Sequence, residues 1–307
     1  MCGIVGFLKI GNRDQLKISV DSIKHRGPDD DGIEWFDALN SGFGHTRLSI
    51  IDLSPAGHQP MFNDDKSLCI VFNGEIYNYK DIEAELREAN PKLTLFSNSD
   101  TEILLKSYEF WGDECLNKLN GMFAFGILNL KTGEFFAARD RLGIKPFYYA
   151  ISDNGFIFAS EIKAILKSGL LKAEPDIDAI TTQMHYQVAP KTGFKNIDKL
   201  TAGHYLKYNL NNSNKENLEI VKWWEINVNE NYNKPEEQLI DELDDLLNDS
   251  VRLQMISDVP IGILLSGGLD SSLIAALMRK HNKGDINAFT IKFSSEDQKF
   301  EKMEDIS

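Results

Sequence analysis

A chain of 307 residues is long enough for one large domain or two ordinary ones, and its net charge of −14 argues against a nucleic-acid partner. Its 42% hydrophobic, 26% charged and 10% aromatic residues are those of a globular protein. No apolar run approaches the ~20 residues of a membrane span, and the N-terminus has no signal-peptide core, so the cytoplasm is the expected compartment and no membrane partner is expected.

The chain opens with Met1-Cys2-Gly3-Ile4-Val5-Gly6-Phe7. Loss of Met1 would leave Cys2 with a free α-amine. A thiol titrates near ~8.5 and an α-amine near ~8, so the amine can take the thiol proton and activate the sulfur. The bland alternative is a small apolar residue at a frayed end. Cys69 and Cys115 sit among apolar residues and read as buried structural thiols. No C-x-x-C pair points to zinc, and no disulfide framework follows.

Strands are expected at 2–8, 43–51, 67–72, 122–128, 134–138, 147–151 and 156–159. Hairpin turns are expected at 129–133 and at Asp153-Asn154-Gly155. Helices are expected at 79–89, 100–110 and 160–166, the second opened by a Ser99-x-x-Glu102 capping box. Strands and helices that do not alternate strictly suggest an α+β layered fold rather than a parallel doubly wound sheet. Residues 1–210 form this first domain.

Residues 211–234 are rich in Asn, Lys and Glu and read as a linker with one docking strand near Trp223-Trp224. Residues 235–307 begin a second domain. Pro235 opens an amphipathic helix to about residue 255, with Leu239, Ile240, Leu243, Leu246, Leu247 and Val251 on one face. A strand at 259–265, the loop Ser266-Gly267-Gly268-Leu269-Asp270-Ser271-Ser272, a helix from about 273 to 281 and a strand at 288–293 make one β-α-β unit. A polar tail, 294–307, follows.

Four patterns carry chemistry. Arg47, in an otherwise apolar strand, needs a partner: a substrate carboxylate, or an internal one such as Asp52 or Asp100. Asn73-Gly74-Glu75 ends an apolar strand, where an Asn side-chain N–H and a Gly amide can converge on one oxygen as in an oxyanion hole, or simply form a turn. Asp100 can hold a substrate ammonium or merely favour a helix N-terminus. Ser266–Ser272, between strand and helix, supplies glycines, hydroxyls and a helix N-terminus for phosphate oxygens. It is not a Walker loop, and Asp270 beside phosphates makes sense with Mg²⁺ between them. The charged blocks at 25–29 and 138–146 read as solvated or salt-bridged loops.

On Met1-Cys2-Gly3-Ile4, His25-Arg26-Gly27-Pro28-Asp29, Arg47-Leu48-Ser49-Ile50-Ile51-Asp52, Asn73-Gly74-Glu75-Ile76-Tyr77-Asn78, Ser99-Asp100-Thr101-Glu102 and Arg139-Asp140-Arg141-Leu142-Gly143, the chain resembles the glutamine-dependent asparagine synthetases. Its first part is similar to their class II glutamine amidotransferase domain, and residues 257–272 to the start of their synthetase domain. The resemblance implies an Ntn-hydrolase α-β-β-α sandwich followed by the first βαβ part of an adenine-nucleotide-hydrolase-like domain. It implies Cys2 as nucleophile, its α-amine as base, and Asn73 and Gly74 as oxyanion donors. Glutamine would be held by Arg47, Leu48, Ser49, Ile50, Ile51, Asn73, Gly74, Glu75 and Asp100. ATP would be held by Leu264, Ser266, Gly267, Gly268, Leu269, Asp270, Ser271, Ser272 and Ile291, with Mg²⁺ on Asp270. The glutaminase half needs no cofactor.

The partners so implied are glutamine and aspartate, or another carboxylate acceptor. The family's second domain continues well beyond Ser307, so the synthetase half is expected to be incomplete here. A homodimer and a C-terminal half supplied elsewhere are both open. The rival readings are a stand-alone glutaminase, an ammonia donor to another enzyme, and a degenerate regulatory module.

Overall fold

The computed structural model describes residues 1–152, 155–183, 189–212, 217–228 and 233–291. Asp153 and Asn154 of the second expected turn, and everything from residue 292 onward, lie outside these. The chain divides into two compact units, Met1–Asn227 and Val228–Ser307.

In chain order the first unit contains β1 (Gly3–Leu8), α1 (Arg13–Asp21), β2 (Asp30–Phe36), β3 (Ser41–Arg47), β4 (Met61–Phe62), β5 (Leu68–Ile76), α2 (Tyr79–Ala89), α3 (Asp100–Trp111) and α4 (Cys115–Lys118). It continues with β6 (Gly121–Asn129), β7 (Glu134–Arg139), β8 (Tyr148–Ser152), β9 (Gly155–Ala159), α5 (Ile162–Lys167), α6 (Ile177–Gln183), β10 (Asp198–Lys199), β11 (His204–Asn209) and β12 (Leu218–Lys222). Two six-stranded sheets result, ordered β10-β8-β9-β1-β3-β2 and β12-β11-β7-β6-β5-β4.

Period-two alternation on β1 builds the layers. Ile4 and Leu8 point between the sheets, where they meet Phe43, Val71, Ala124, Phe135 and Phe158. Val5 and Phe7 point the other way, into a cluster with Leu16 and Val20 of α1 and Ile165 of α5. On the far side, Tyr108 of α3 stacks on Phe136 of β7, with ring centroids 4.9 Å apart. The unit is thus an α-β-β-α sandwich, the Ntn-hydrolase-type fold that the sequence led us to expect.

Two strand ends differ from the expectation, and both matter for the site. The strand expected at 43–51 stops at Arg47, because the chain beyond it folds back to cap the Arg47 guanidinium with carbonyl oxygens. The strand expected to end at Phe72 runs on to Ile76, so Asn73-Gly74 is a strand segment paired with β6 (Gly74 opposite Phe123) and not a turn. β2 and α1 were not anticipated. β2 is an edge strand that carries Asp30, Asp31 and Glu34, and α1 buries only Leu16, Ser19 and Val20, so neither shows a strong apolar period. The capping box is also rearranged. Ser99 Oγ accepts from the Thr101 amide at 3.1 Å, but Glu102 reaches past Ser99 to the amides of Phe96 and Ser97, at 2.9 and 2.7 Å.

The second unit holds α7 (Glu236–Gln254), β13 (Gly262–Leu264), α8 (Leu269–His281) and β14 (Asn287–Phe289), with β13 and β14 parallel as a β-α-β unit requires. α8 starts four residues earlier than expected. Gly268 is its N-cap residue, and Asp270, Ser271 and Ser272 form its first turn. No helix of the described residues is long and apolar enough to cross a membrane.

Candidate active site

The ends of β1, β3 and β5 meet the start of α3 around a cavity of about 180 Å³. Its wall includes Met1, Cys2, Arg47, Leu48, Ile50, Ile51, Asn73, Gly74, Glu75, Asp100 and Lys145. Every residue expected from the first domain is there except Ser49, whose amide instead donates to Asp29 Oδ2 at 2.8 Å.

Cys2 sits just ahead of β1. Its sulfur lies 3.5 Å from the Leu48 amide, which donates to it, and donates in turn to the Leu48 carbonyl at 3.7 Å. Its own carbonyl accepts from Arg26 Nε at 2.9 Å, and Arg26 is tied to Glu161 at 3.0 Å. Of the solvated or salt-bridged alternatives for the block at 25–29, Arg26 thus takes the salt-bridged one, and it also clamps the Cys2 backbone. Burial pushes the thiol above its ordinary pKa, opposed by the Leu48 amide, the α-amine and Arg47. The α-amine in the same cavity belongs here to Met1, and burial lowers its pKa, so it is more readily a free base.

The oxyanion side is set by strand register. On β5 the amides of Phe72 and Ile76 point away from β6, to Gln59 Oε1 at 2.6 Å and Asp100 Oδ2 at 2.9 Å. Gly74 lies between them in the alternation of an antiparallel ladder, so its amide faces the same edge. Beside it, the Asn73 side chain is 1% exposed, yet neither its Nδ2 nor its Oδ1 has a partner among the described residues. A buried amide left unpaired is costly unless a ligand completes it. Glycine is required at 74 for space, since a Cβ there would lie 2.3 Å from the Met122 carbonyl oxygen.

Arg47 donates to the carbonyls of Ser54 (2.9 Å), Ile51 (3.4 Å) and Asp52. Gly57 packs flat against it; a Cβ at that position would lie 2.0 Å from Nη2. Of the two internal carboxylates considered for it, Asp52 receives it through the main-chain oxygen. The Asp52 carboxylate accepts from Ser54 and Asn98. Burial raises its pKa, but those bonds and the Arg47 charge win and hold it below the usual range.

Asp100, in the first turn of α3, is pushed up to about 7 by burial, with Glu75 adding to the push and the Ile76 amide opposing it. Glu75 is likewise raised by burial, against the pull of Lys145 and the α-amine. His45, wholly buried behind the site with Nε2 on the Phe72 carbonyl, is lowered to about 3 and stays neutral.

Sequence reasoning missed Arg26, Gln59 and Lys145. Gln59 bridges the Phe72 amide and Thr101 Oγ1 and so joins the β5 edge to α3. A lone Gln and a Lys ahead of a Pro leave no periodic signal.

In the second unit the loop between β13 and α8 bonds mainly to itself. Ser266 Oγ lies 3.0 Å from Ser271 Oγ, the Gly268 amide donates to Ser266 Oγ at 3.3 Å, and Gly267 takes φ +81°. Leu264 and Ile291 are 79% and 77% exposed. Amides and hydroxyls at the start of a 13-residue helix suit phosphate oxygens. Asp270 gives a cation one carboxylate, and among the described residues no group of three or more His, Cys, Asp or Glu side chains could hold a metal.

A sandwich of two antiparallel sheets with a cysteine at its N-terminal strand is the architecture of Ntn-hydrolase amidotransferases. The solved structure of glutamine phosphoribosylpyrophosphate amidotransferase from B. subtilis superposes on 97% of this chain and 70% of its own, with a TM-score of 0.55 at 16% identity. Residues 1–224 match the family model for the glutamine amidotransferase domain, and the chain belongs to that family. Residues 242–306 match the asparagine synthase model. A putative glutamine-hydrolysing asparagine synthetase of Methanocaldococcus jannaschii is 37% identical over 95% of this chain and 60% of its own length. Asparagine synthetase 3 of Bacillus subtilis is 35% identical over 98% and 50%. The chain thus spans about half the length of the curated relatives it matches.

Proposed function

We propose that this chain hydrolyses glutamine at Cys2 and serves as the amide-donor part of a glutamine-dependent asparagine synthetase. The observation that carries the reading is the unpaired Asn73 amide beside the Gly74 edge, in one cavity with the Cys2 sulfur. The α-amine takes the thiol proton and the sulfur attacks the side-chain carbonyl of glutamine. Asn73 and the Gly74 amide receive the developing oxyanion. The amine returns the proton to the departing ammonia, and water then releases glutamate from the thioester. Arg47 pairs with the substrate α-carboxylate, with Leu48, Ile50 and Ile51 around it. Asp100 and Glu75 take the α-ammonium.

In the second unit, Ser266, Gly267, Gly268, Leu269, Asp270, Ser271 and Ser272 would hold the phosphates of ATP, with Leu264 and Ile291 beside the adenine and Asp270 on Mg²⁺. ATP would supply activation of the aspartate carboxylate, so that ATP, aspartate, glutamine and water give AMP, pyrophosphate, asparagine and glutamate. The match of residues 242–306 to the asparagine synthase model supports this half.

The test is glutamate release from glutamine by the purified chain, with Met1 removal checked by intact mass, with and without ATP and aspartate. Cys2→Ala should lower release by on the order of 10⁴-fold or more. Undiminished release from Cys2→Ala would overturn the reading.

A further inference from the structure

One charged residue of the cavity wall is left without a role by this chemistry. Lys145 is 5% exposed and lines the same cavity as Cys2. Burying a lysine is unfavourable unless something offsets it. The loop that carries it is braced from both sides. The Asp140 carboxylate accepts the amides of Leu142 (3.1 Å), Ile144 (2.9 Å) and Lys145 (2.9 Å), and that of Phe123 on β6 (3.1 Å). Arg139 donates to the carbonyls of Gly143, Lys145 (2.7 Å) and Leu200 (2.6 Å). Two adjacent buried charged side chains thus hold residues 142–145, one by their carbonyls and one by their amides, and the result is a lysine fixed in the wall of the thiol cavity. A lysine placed merely for solubility needs no such frame.

The charged groups that face Lys145 are Glu75, Cys2, Arg26 and Asp140. Cys2 faces the α-amine, Asp100 and Arg47 besides. Before it can attack, the pair made of the Cys2 thiol and the α-ammonium must lose one proton to solvent, leaving a thiol beside a free amine or the equivalent thiolate beside an ammonium. A nearby cation favours that loss.

We propose that Lys145 is a positioning residue of this centre, whose ammonium favours loss of the one proton that separates the inert thiol–ammonium pair from the reactive pair. This rests on the reading of Cys2 as nucleophile. Electrostatics at the site run the same way: Lys145 and Arg26 both add to the lowering that burial imposes on the Met1 α-amine, one residue from the position the Cys2 amine takes after processing. Burial lowers the pKa of Lys145 itself, while Glu75 and Cys2 support its charge.

The experiment is the pH dependence of Cys2 alkylation by iodoacetamide in the Met1-processed chain without glutamine, read by peptide mass spectrometry. Cys69 and Cys115 are fully buried and act as internal controls. Lys145→Met should move the alkylation midpoint up by about one pH unit, and Lys145→Arg should leave it near wild type. A Lys145→Met profile that superimposes on wild type overturns the proposal. Should Lys145→Met fail to fold, Glu75→Gln serves as the second arm. Glu75 acts on the α-amine in its own right, so in that variant the test is the added Lys145→Gln change, which should move the midpoint up by about one pH unit, and a double variant that superimposes on Glu75→Gln overturns the proposal equally. Failure of the glutaminase reading is separately visible, as absent glutamate release while the alkylation midpoints still shift.

Discussion

The two candidate ligand sites of this chain are built by opposite means. The thiol cavity of the first unit is assembled from groups far apart in sequence. Leu48 meets Cys2 across 46 positions, Asp100 takes the Ile76 amide across 24, and Arg26 holds Cys2 while Glu161 holds Arg26 across 135. The glycine loop of the second unit is closed by bonds that span at most five positions, from Ser266 to Ser271 and from Gly268 to Ser266 and Ser271. The first site is held by a two-sheet core. The second stands on a short parallel pair, beside a helix whose Leu239, Ile240, Leu243 and Leu246 are exposed. Long-range cross-links preorganise a site, whereas a local turn only presents amides.

Substitution of glycine breaks the comparison most sharply. Gly74→Ala drives a Cβ to 2.3 Å from the Met122 oxygen and 2.8 Å from Phe123 Cα, both backbone atoms. We expect a loss of about 1–3 kcal/mol in stability, read by urea unfolding, together with loss of glutaminase turnover. Asn73→Ala should separate function from fold. Its side-chain atoms make no bonds within the described residues, so stability should hold or rise while kcat falls about 10²–10³-fold with little change in KM. A parallel fall in Tm and kcat would contradict the oxyanion role.

Asp100 sharpens the contrast through pH. Its folded pKa of about 7 exceeds that of an exposed carboxylate, so the folded state holds a proton that the unfolded chain has lost. Its contribution to folding stability should therefore fall as pH rises from about 4 to 7. Glutamine binding should run the other way, with KM dropping as pH rises through 7 and the ammonium-binding carboxylate forms. Asp100→Asn should remove both trends. The smallest effect is expected in the second unit. A Cβ at Gly268 would meet only Ser266 Oγ at 3.4 Å, so Gly268→Ala should change stability by less than about 0.5 kcal/mol.

Much of the first unit was legible before any coordinates. The apolar run of Ile4, Val5 and Phe7 marks a buried strand, and β1 is buried on both faces, while Asn129–Gly133 closes as the expected hairpin, with the Gly133 amide on the Asn129 carbonyl at 2.8 Å. The motif residues Cys2, Arg47, Asn73, Gly74 and Asp100 do share one cavity. The block at 138–146 reads as a solvated or salt-bridged loop, because Arg139 and Asp140 look like surface residues until their partners are known. Those partners are main-chain amides and carbonyls, which carry no sequence signature.

Local chemistry was set by the sequence alone: a thiol one residue from the start, a glycine at 74 without a Cβ, a carboxylate at the head of α3, and a strand–glycine loop–helix in the second unit. Those properties belong to residue types and to spacing along the chain. Register and burial were decided only by the tertiary structure. It turned the Gly74 amide to an open strand edge, left Asn73 buried and unpaired, raised Asp100 to about 7 and carried Lys145 into the cavity. Each of these depends on which distant backbone lies alongside and how much water it excludes, and neither quantity is a property of any single stretch of chain.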